Sequence, residues 1–211
     1  MNHAGRWTAI LLIAVLSLST AGCDFFAWMA LGYEQTQEVD AAYTGLEGRS
    51  VAVLVAADDQ ILFQHPTADR LIGQQVSATL AQAVDNIRIA EPSQIRDFIE
   101  ENPYWETLLP SQLIEGLGVD RLLLVGLYEY RLHEPGNAHV WRGIMSADIS
   151  VIEAEAEDPD NASFATVIEA EYPTVNEIGV INSDSQSIEF GLLQTFAVKT
   201  ANLFRKHEVP R

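Results

Sequence analysis

Three histidines, His65, His133 and His139, are the residues of this chain best suited to hold a divalent cation. His133 and His139 flank one turn, with Glu134 beside them, and two imidazoles with a carboxylate make a usable donor set. No third histidine lies near them in sequence, and hairpin ends ordinarily carry exposed polar residues, so no metal site is assigned. Asp58 and Asp59 close an apolar run, at the kind of strand end where open α/β sheets bind ligands. A polar turn that ends a strand is the favoured reading of that pair. Glu153, Glu155, Glu157, Asp158 and Asp160 could attract calcium, but the Asp-x-Asp-x-Asp-Gly loop is absent, which leaves a solvated acidic turn as the expectation.

Nucleophilic and phosphate chemistry find no pattern to rest on. A serine enzyme would want a Gly-x-Ser-x-Gly elbow or Ser-x-x-Lys, and neither occurs. There is no Gly-rich loop ending in Lys-Ser/Thr and no Gly-x-Gly-x-x-Gly after a strand. Gly116-Leu117-Gly118 precedes a strand and reads as a closing turn. The chain holds one cysteine, Cys23. If its thiol is modified, disulfides, cysteine metal sites and cysteine nucleophiles are all excluded. No enzyme activity and no cofactor are expected.

The setting of Cys23 is the most informative stretch. Residues 1–6 carry one charge, Arg6, and Trp7 to Leu18 carry none. That apolar run is short of the roughly 20 residues a bilayer span requires. A charged start, a short apolar core and the small residues Thr20, Ala21 and Gly22 form an export-signal pattern. Followed directly by Cys23, it resembles the lipobox of bacterial lipoproteins. Thr20 stands where that motif usually has Leu, Val or Ile. The resemblance implies diacylglyceryl transfer to the Cys23 thiol, cleavage before it and acylation of the new amino terminus. The competing reading, an uncleaved helix, must carry Asp24 through the membrane, at a cost of about 3 kcal/mol. Asp24 also resembles the inner-membrane retention signal of enteric bacteria, while the leaflet and membrane stay open. Each acyl methylene contributes about 0.8 kcal/mol, so two or three chains hold a domain durably. The partner expected first is therefore a membrane, through acyl chains on Cys23.

Composition agrees with a globular domain: 48% hydrophobic, 20% charged, and a formal net charge of −18. Such an acidic chain repels nucleic acid and anionic lipid headgroups. Residues 1–22 read as signal peptide, 23–48 as lipidated cysteine and tether, and 49–211 as one α/β domain. Phe25, Phe26 and Trp28 place an aromatic cluster at the start of the tether.

The elements that would position these residues follow from periodicity. Ser50 to Ala57 is a continuous Val-rich run, suited to a strand buried on both faces. Thr67 predicts a helix N-cap, and Leu71, Ile72, Val76, Leu80, Ala83 and Val84 share one helical face. Ile87 to Ala90 predicts a second, parallel strand across a right-handed crossover. Pro92 opens a helix that Asn102-Pro103 stops; Pro110 to Gly116 is a shorter one. Leu122 to Leu132, Val140 to Ile152 and Phe164 to Tyr172 predict three strands in an antiparallel meander. Ser185 or Ser187 caps a last helix with Ile188, Leu192, Phe196 and Leu203 inward and Arg205-Lys206 in its last turn. The order β-α-β-α-α-β-β-β-α predicts a single α/β domain with a mixed sheet and helices packed on it.

That order, the Val51–Leu54 strand, the Ile87–Ala90 strand, the Leu117–Asp120 turn and the Leu122–Tyr130 strand together resemble the amino-terminal domain of TolB, the periplasmic part of CsgG and related small lipoproteins. Gly45 to Val55, followed by Phe63 to Pro66, is also similar to planctomycete lipoproteins. The resemblance implies a non-enzymatic accessory domain that binds other envelope proteins; Cys23 is the one functional residue it transfers. The expectation is a tethered, periplasm-facing interaction or assembly module. The alternative is a small-ligand or cation sensor using Asp58, Asp59 and the His133–His139 turn.

Overall fold

The computed structural model describes residues 36–134, 136–174, 181 and 183–210. The expected signal peptide, Cys23 and the aromatic start of the expected tether lie outside the described residues.

Among the described residues thirteen elements follow one another. β1 is Thr36–Val39 and β2 is Ser50–Ala57. Helices α1, Asp59–Gln64, and α2, Ala68–Ala83, lead to the two-residue strand β3, Arg88–Ile89. Helix α3, Pro92–Glu101, a 3-10 turn at Trp105–Thr107 and helix α4, Pro110–Leu117, come next. Strands β4, Arg121–Glu134, β5, Asn137–Glu153, and β6, Phe164–Tyr172, precede helix α5, Ser185–Asn202, and strand β7, His207–Pro210.

The five-stranded sheet has the order β3-β2-β4-β5-β6. β2 runs parallel to both neighbours, and β4, β5 and β6 are antiparallel. The expected α/β class with a mixed sheet is what the chain forms. β2 explains why: Val51, Val53 and Val55 enter one apolar cluster, and Ala52 and Leu54 enter another. A strand apolar at every position needs cover on both faces. On the first face α2 lays down Ile72, Val76 and Leu80, spaced by four, and α5 adds Ile188, Leu192 and Phe196. On the second, Phe98, Trp105, Leu113 and Leu117 from α3 to α4 cover Leu54, Leu122 and Ile152. Each fully buried side chain of this size contributes about 2–3 kcal/mol over leaving it in water.

Several local expectations change. Ile61-Leu62-Phe63, a short apolar run for which the sequence predicts no element, is helical, because Asp58 occupies the N-cap position of α1 and its carbonyl accepts from the amides of Ile61 and Leu62 at 2.8 and 3.1 Å. Only Ile61 of that run is buried; Phe63 is 88% exposed. Thr67 stands at the N-cap of α2 but makes no side-chain cap bond. The cap of α5 is Asp184, not Ser185 or Ser187: its carboxylate accepts from the Ser187 amide at 2.9 Å and the Ser187 hydroxyl at 2.8 Å. Asp and Ser cap about equally well, and the helix dipole favours the negative charge of Asp184 there. α5 ends at Asn202, so Leu203 is its C-cap and Arg205-Lys206 lie beyond its last turn.

Residues Asp40–His207 form one compact unit, and β1 with Glu208–Pro210 belongs to a second. In the larger unit Leu46 is fully buried and the Tyr43 amide donates to the Leu203 carbonyl at 3.0 Å, ahead of the domain start expected at 49. In the smaller, β1 and β7 pair as a two-stranded sheet. Four-residue strands alternate too briefly to stand out in sequence.

Candidate functional site

The side chains singled out for chemistry are dispersed. His65 packs edge-on against Tyr130 with ring centroids 4.7 Å apart, and burial holds its pKa below the usual imidazole value, with Glu189 pulling the other way. Tyr130 donates its hydroxyl to Glu189 at 2.8 Å. His133 lies on Trp141 at 3.9 Å between ring centroids. His139 is exposed, and its amide donates to Asn137 at 3.1 Å. Among the described residues no three histidine, cysteine or carboxylate side chains converge to hold a metal ion.

Several carboxylates of the acidic stretch are tied to other elements. Arg121, only 3% exposed, donates from Nη2 to Glu155 at 2.8 Å, from Nη1 to the other Glu155 oxygen and from Nε to the Gly45 carbonyl at 3.1 Å. Its Nη2 also lies 3.5 Å from Glu153, which accepts the Tyr43 hydroxyl. The bonds from Arg121 hold the Glu155 carboxyl down at about 2, and burial, then Glu153, push the Tyr43 phenol up to about 12. Farther on, Asp160 accepts the Ser111 amide at 3.0 Å, and Asp158 accepts from Asn161 at 2.6 Å. The stretch is the exposed turn expected there, with Glu153, Glu155 and Asp160 also tying it to Tyr43, Arg121 and Ser111.

Two concave features stand out among the described residues. A pocket of about 200 Å³ lies at the end of β2, lined by Asp58, Gln60, Ile61, Gln64 and Tyr128 to Arg131. Asp58 of the ligand-binding alternative is here, but Asp59, His133 and His139 are not. Arg131 Nε is committed to Glu129 at 2.9 Å, while its Nη1 is buried without a partner.

The larger feature is a groove of about 350 Å³ between α2 and α3, floored by Val53, Leu54 and Val55 of β2. Its origin is a mismatch of strand lengths. β3 pairs with β2 only at Ser50↔Arg88 and Val51↔Ile89, and the last bond runs from the Ala90 amide to the Val51 carbonyl at 2.8 Å. Pro92 then opens α3, and the chain leaves the sheet. β2 continues to Ala57. The carbonyls of Arg49 and Val51 face β3, whereas Ser50 faces β4, accepting the Asp120 amide at 3.0 Å. By that alternation Val53 and Val55 turn their main-chain groups into the groove, and among the described strands nothing pairs with them. Ala90, Pro92, Ile95 and Ile99 form an apolar wall; Gly73, Gln74 and Ser77 form the other. Asp69, Arg70, Arg96 and Glu100 complete the lining, with two charges of each sign.

Sequence reasoning missed this groove. Its signals were present: a four-residue strand beside one of eight, a proline just after the shorter, and Gly73 in the middle of a helix.

No helix among the described residues is long and apolar enough to cross a membrane. No protein-family model matches the chain, and no curated protein matches it. Among solved structures, the chain is similar to the PelC dodecamer of Paraburkholderia phytofirmans, with a TM-score of 0.47 and 11% identity over 82% of this chain and 99% of that one. It is also similar to the lipoprotein GNA1162 of Neisseria meningitidis, with a TM-score of 0.47 and 15% identity over 72% of this chain and 98% of that one.

Proposed function

We propose that this chain is a bacterial envelope lipoprotein, held by acyl chains on Cys23 and facing the periplasm, whose α/β domain is a non-enzymatic module that binds another envelope protein. The observation that carries the reading is the groove beside β2. It is apolar and lined by unpaired main chain, a combination that suits a polypeptide ligand. Its lining holds one hydroxyl, Ser77, and no histidine to activate it. The pocket near Asp58 is the place for the ligand-sensing alternative, but at about 200 Å³ it is smaller than the roughly 300 Å³ at which small-molecule sites begin.

Two measurements test this. The full chain and Cys23→Ser are expressed in a bacterium that processes lipoproteins, and intact mass and membrane partition are read. A mature mass beginning at a diacylated Cys23, lost with membrane retention in the variant, supports the tether; a chain still carrying residues 1–22 overturns it. A photo-crosslinking residue is then placed at Ser77, and at exposed Glu157 as control. A discrete protein adduct at Ser77 alone supports the module, and none at either position overturns it.

A further inference from the structure

We propose that the free stretch of β2 at Val53–Val55 accepts an extended, uncharged segment of a partner protein as an added strand, parallel to β2 and in line with β3. The proposal rests on the interaction-module reading and names the ligand class of its groove.

Hydrogen-bonding geometry selects the occupant. Outward N–H and C=O groups recur at every second residue of a strand, and another extended backbone matches that spacing. The stretch from Val53 to Val55 is about 6.6 Å long, so three or four residues fill it. Position excludes a second copy docking by its own sheet edge. Val53, Leu54 and Val55 are 5%, 1% and 8% exposed, recessed between α2 and α3. A single strand can enter such a slot; a strand already flanked by its own helices cannot.

The walls select side chains. Successive residues of an added strand point alternately to the two helices. Those facing α3 meet Ile95 and Ile99 and should be apolar. Those facing α2 meet Gly73 and Ser77. A Cβ on Gly73 would touch only the Val55 Cγ2 atom, at 3.5 Å, so alanine would fit there. Glycine is nonetheless kept inside a helix, where it is among the least favourable residues, and its missing side chain leaves the groove open. The balanced charges of Asp69, Arg70, Arg96 and Glu100 favour neither sign, unlike the chain as a whole at −18. An uncharged segment complements them.

The test uses the full chain in detergent micelles and a blocked hexapeptide, acetyl-TVSVTV-amide. Its twins carry N-methyl groups at every second residue, in both registers. Amide hydrogen exchange is followed by NMR. The expected result is at least tenfold slower exchange at Val53 and Val55 with the peptide, no slowing with one of the twins, and loss of the effect in Gly73→Phe. Ser77→Phe provides a second plug should the first variant fold poorly. Absence of protection, equal protection by all three peptides, or protection at Ala165 and Val167 of β6 instead overturns the proposal. So does protection that exists without peptide and disappears when residues 24–31 are deleted, which would make the chain's own segment the occupant. If the peptide fails while the Ser77 adduct persists, strand addition is wrong and the module reading stands; if the adduct is absent too, both fall.

Discussion

Where β2 and β4 begin, polar groups are tied together; farther along β2, on its other side, they are left open. Asp120 accepts the Ser50 amide at 2.8 Å and the Ser50 hydroxyl at 2.7 Å, and Arg121 draws Glu153, Glu155 and the Gly45 carbonyl around one buried guanidinium. At Val53 and Val55 the main chain faces a groove with no strand beside it. The difference separates stability from binding. A buried cation is costly unless it is partnered, whereas an unpaired edge is kept only at a risk of wrong association. The cluster is thus expected to be sensitive to substitution and the groove tolerant of it.

The largest break in that comparison is Arg121→Ala. It removes the donor of the Gly45 carbonyl and the charge-assisted bonds to two carboxylates, leaving Glu153 to the Tyr43 hydroxyl and Glu155 to Arg49, and should cost about 3 kcal/mol. Thermal unfolding should show a Tm lower by roughly 6–12 °C. A loss no greater than that of an exposed arginine such as Arg70 would refute the role given to the cluster.

Two helix glycines sharpen the contrast. A Cβ on Gly191 of α5 would collide with the Tyr172 ring, whereas one on Gly73 meets only an ordinary contact. Gly191→Ala should therefore destabilise by about 2 kcal/mol through forced repacking, read from urea unfolding. Acid tests the cluster more gently. With the Glu155 carboxyl held at about 2 against an ordinary 4.5, its contribution is complete above pH 4.5 and is lost as pH falls toward 2. Asp120, lowered by its bonds from Ser50, acts in the same direction. Urea unfolding at stepped pH should show stability falling across that window, less steeply in Arg121→Ala. Because Glu155 is half exposed, added salt should shrink the slope. The smallest effect has the opposite sign: Gly73→Ala should stabilise by about 0.5–1 kcal/mol. A measured loss would place Gly73 under a packing constraint that its open surroundings do not show.

Much of the architecture was legible from pattern. The unbroken apolar run from Val51 to Val55 required cover on two faces, and the fourfold spacing of Ile72, Val76 and Leu80 fixed the buried side of α2. The meander from Leu122 to Tyr172 was visible as alternation. Less legible were ends and short pieces. Asp184 took the cap from its serine neighbours, and Asp58 began a helix rather than merely closing a strand. Glu153 and Glu155 looked like solvated turn residues because their partner, Arg121, is remote in sequence.

Local periodicity thus determined the types and order of the longer strands and helices and their apolar faces, since each depends on neighbours within a turn or two, but not the short β1, α1 and β7. Composition, not periodicity, singled out Cys23, through the charged start, short apolar core and small residues before it. Neither determined the groove. Whether Val53 and Val55 find a partner depends on where β3 stops, how α3 leaves the sheet and how closely α2 approaches. Those are distances between segments far apart in the chain, and packing sets them.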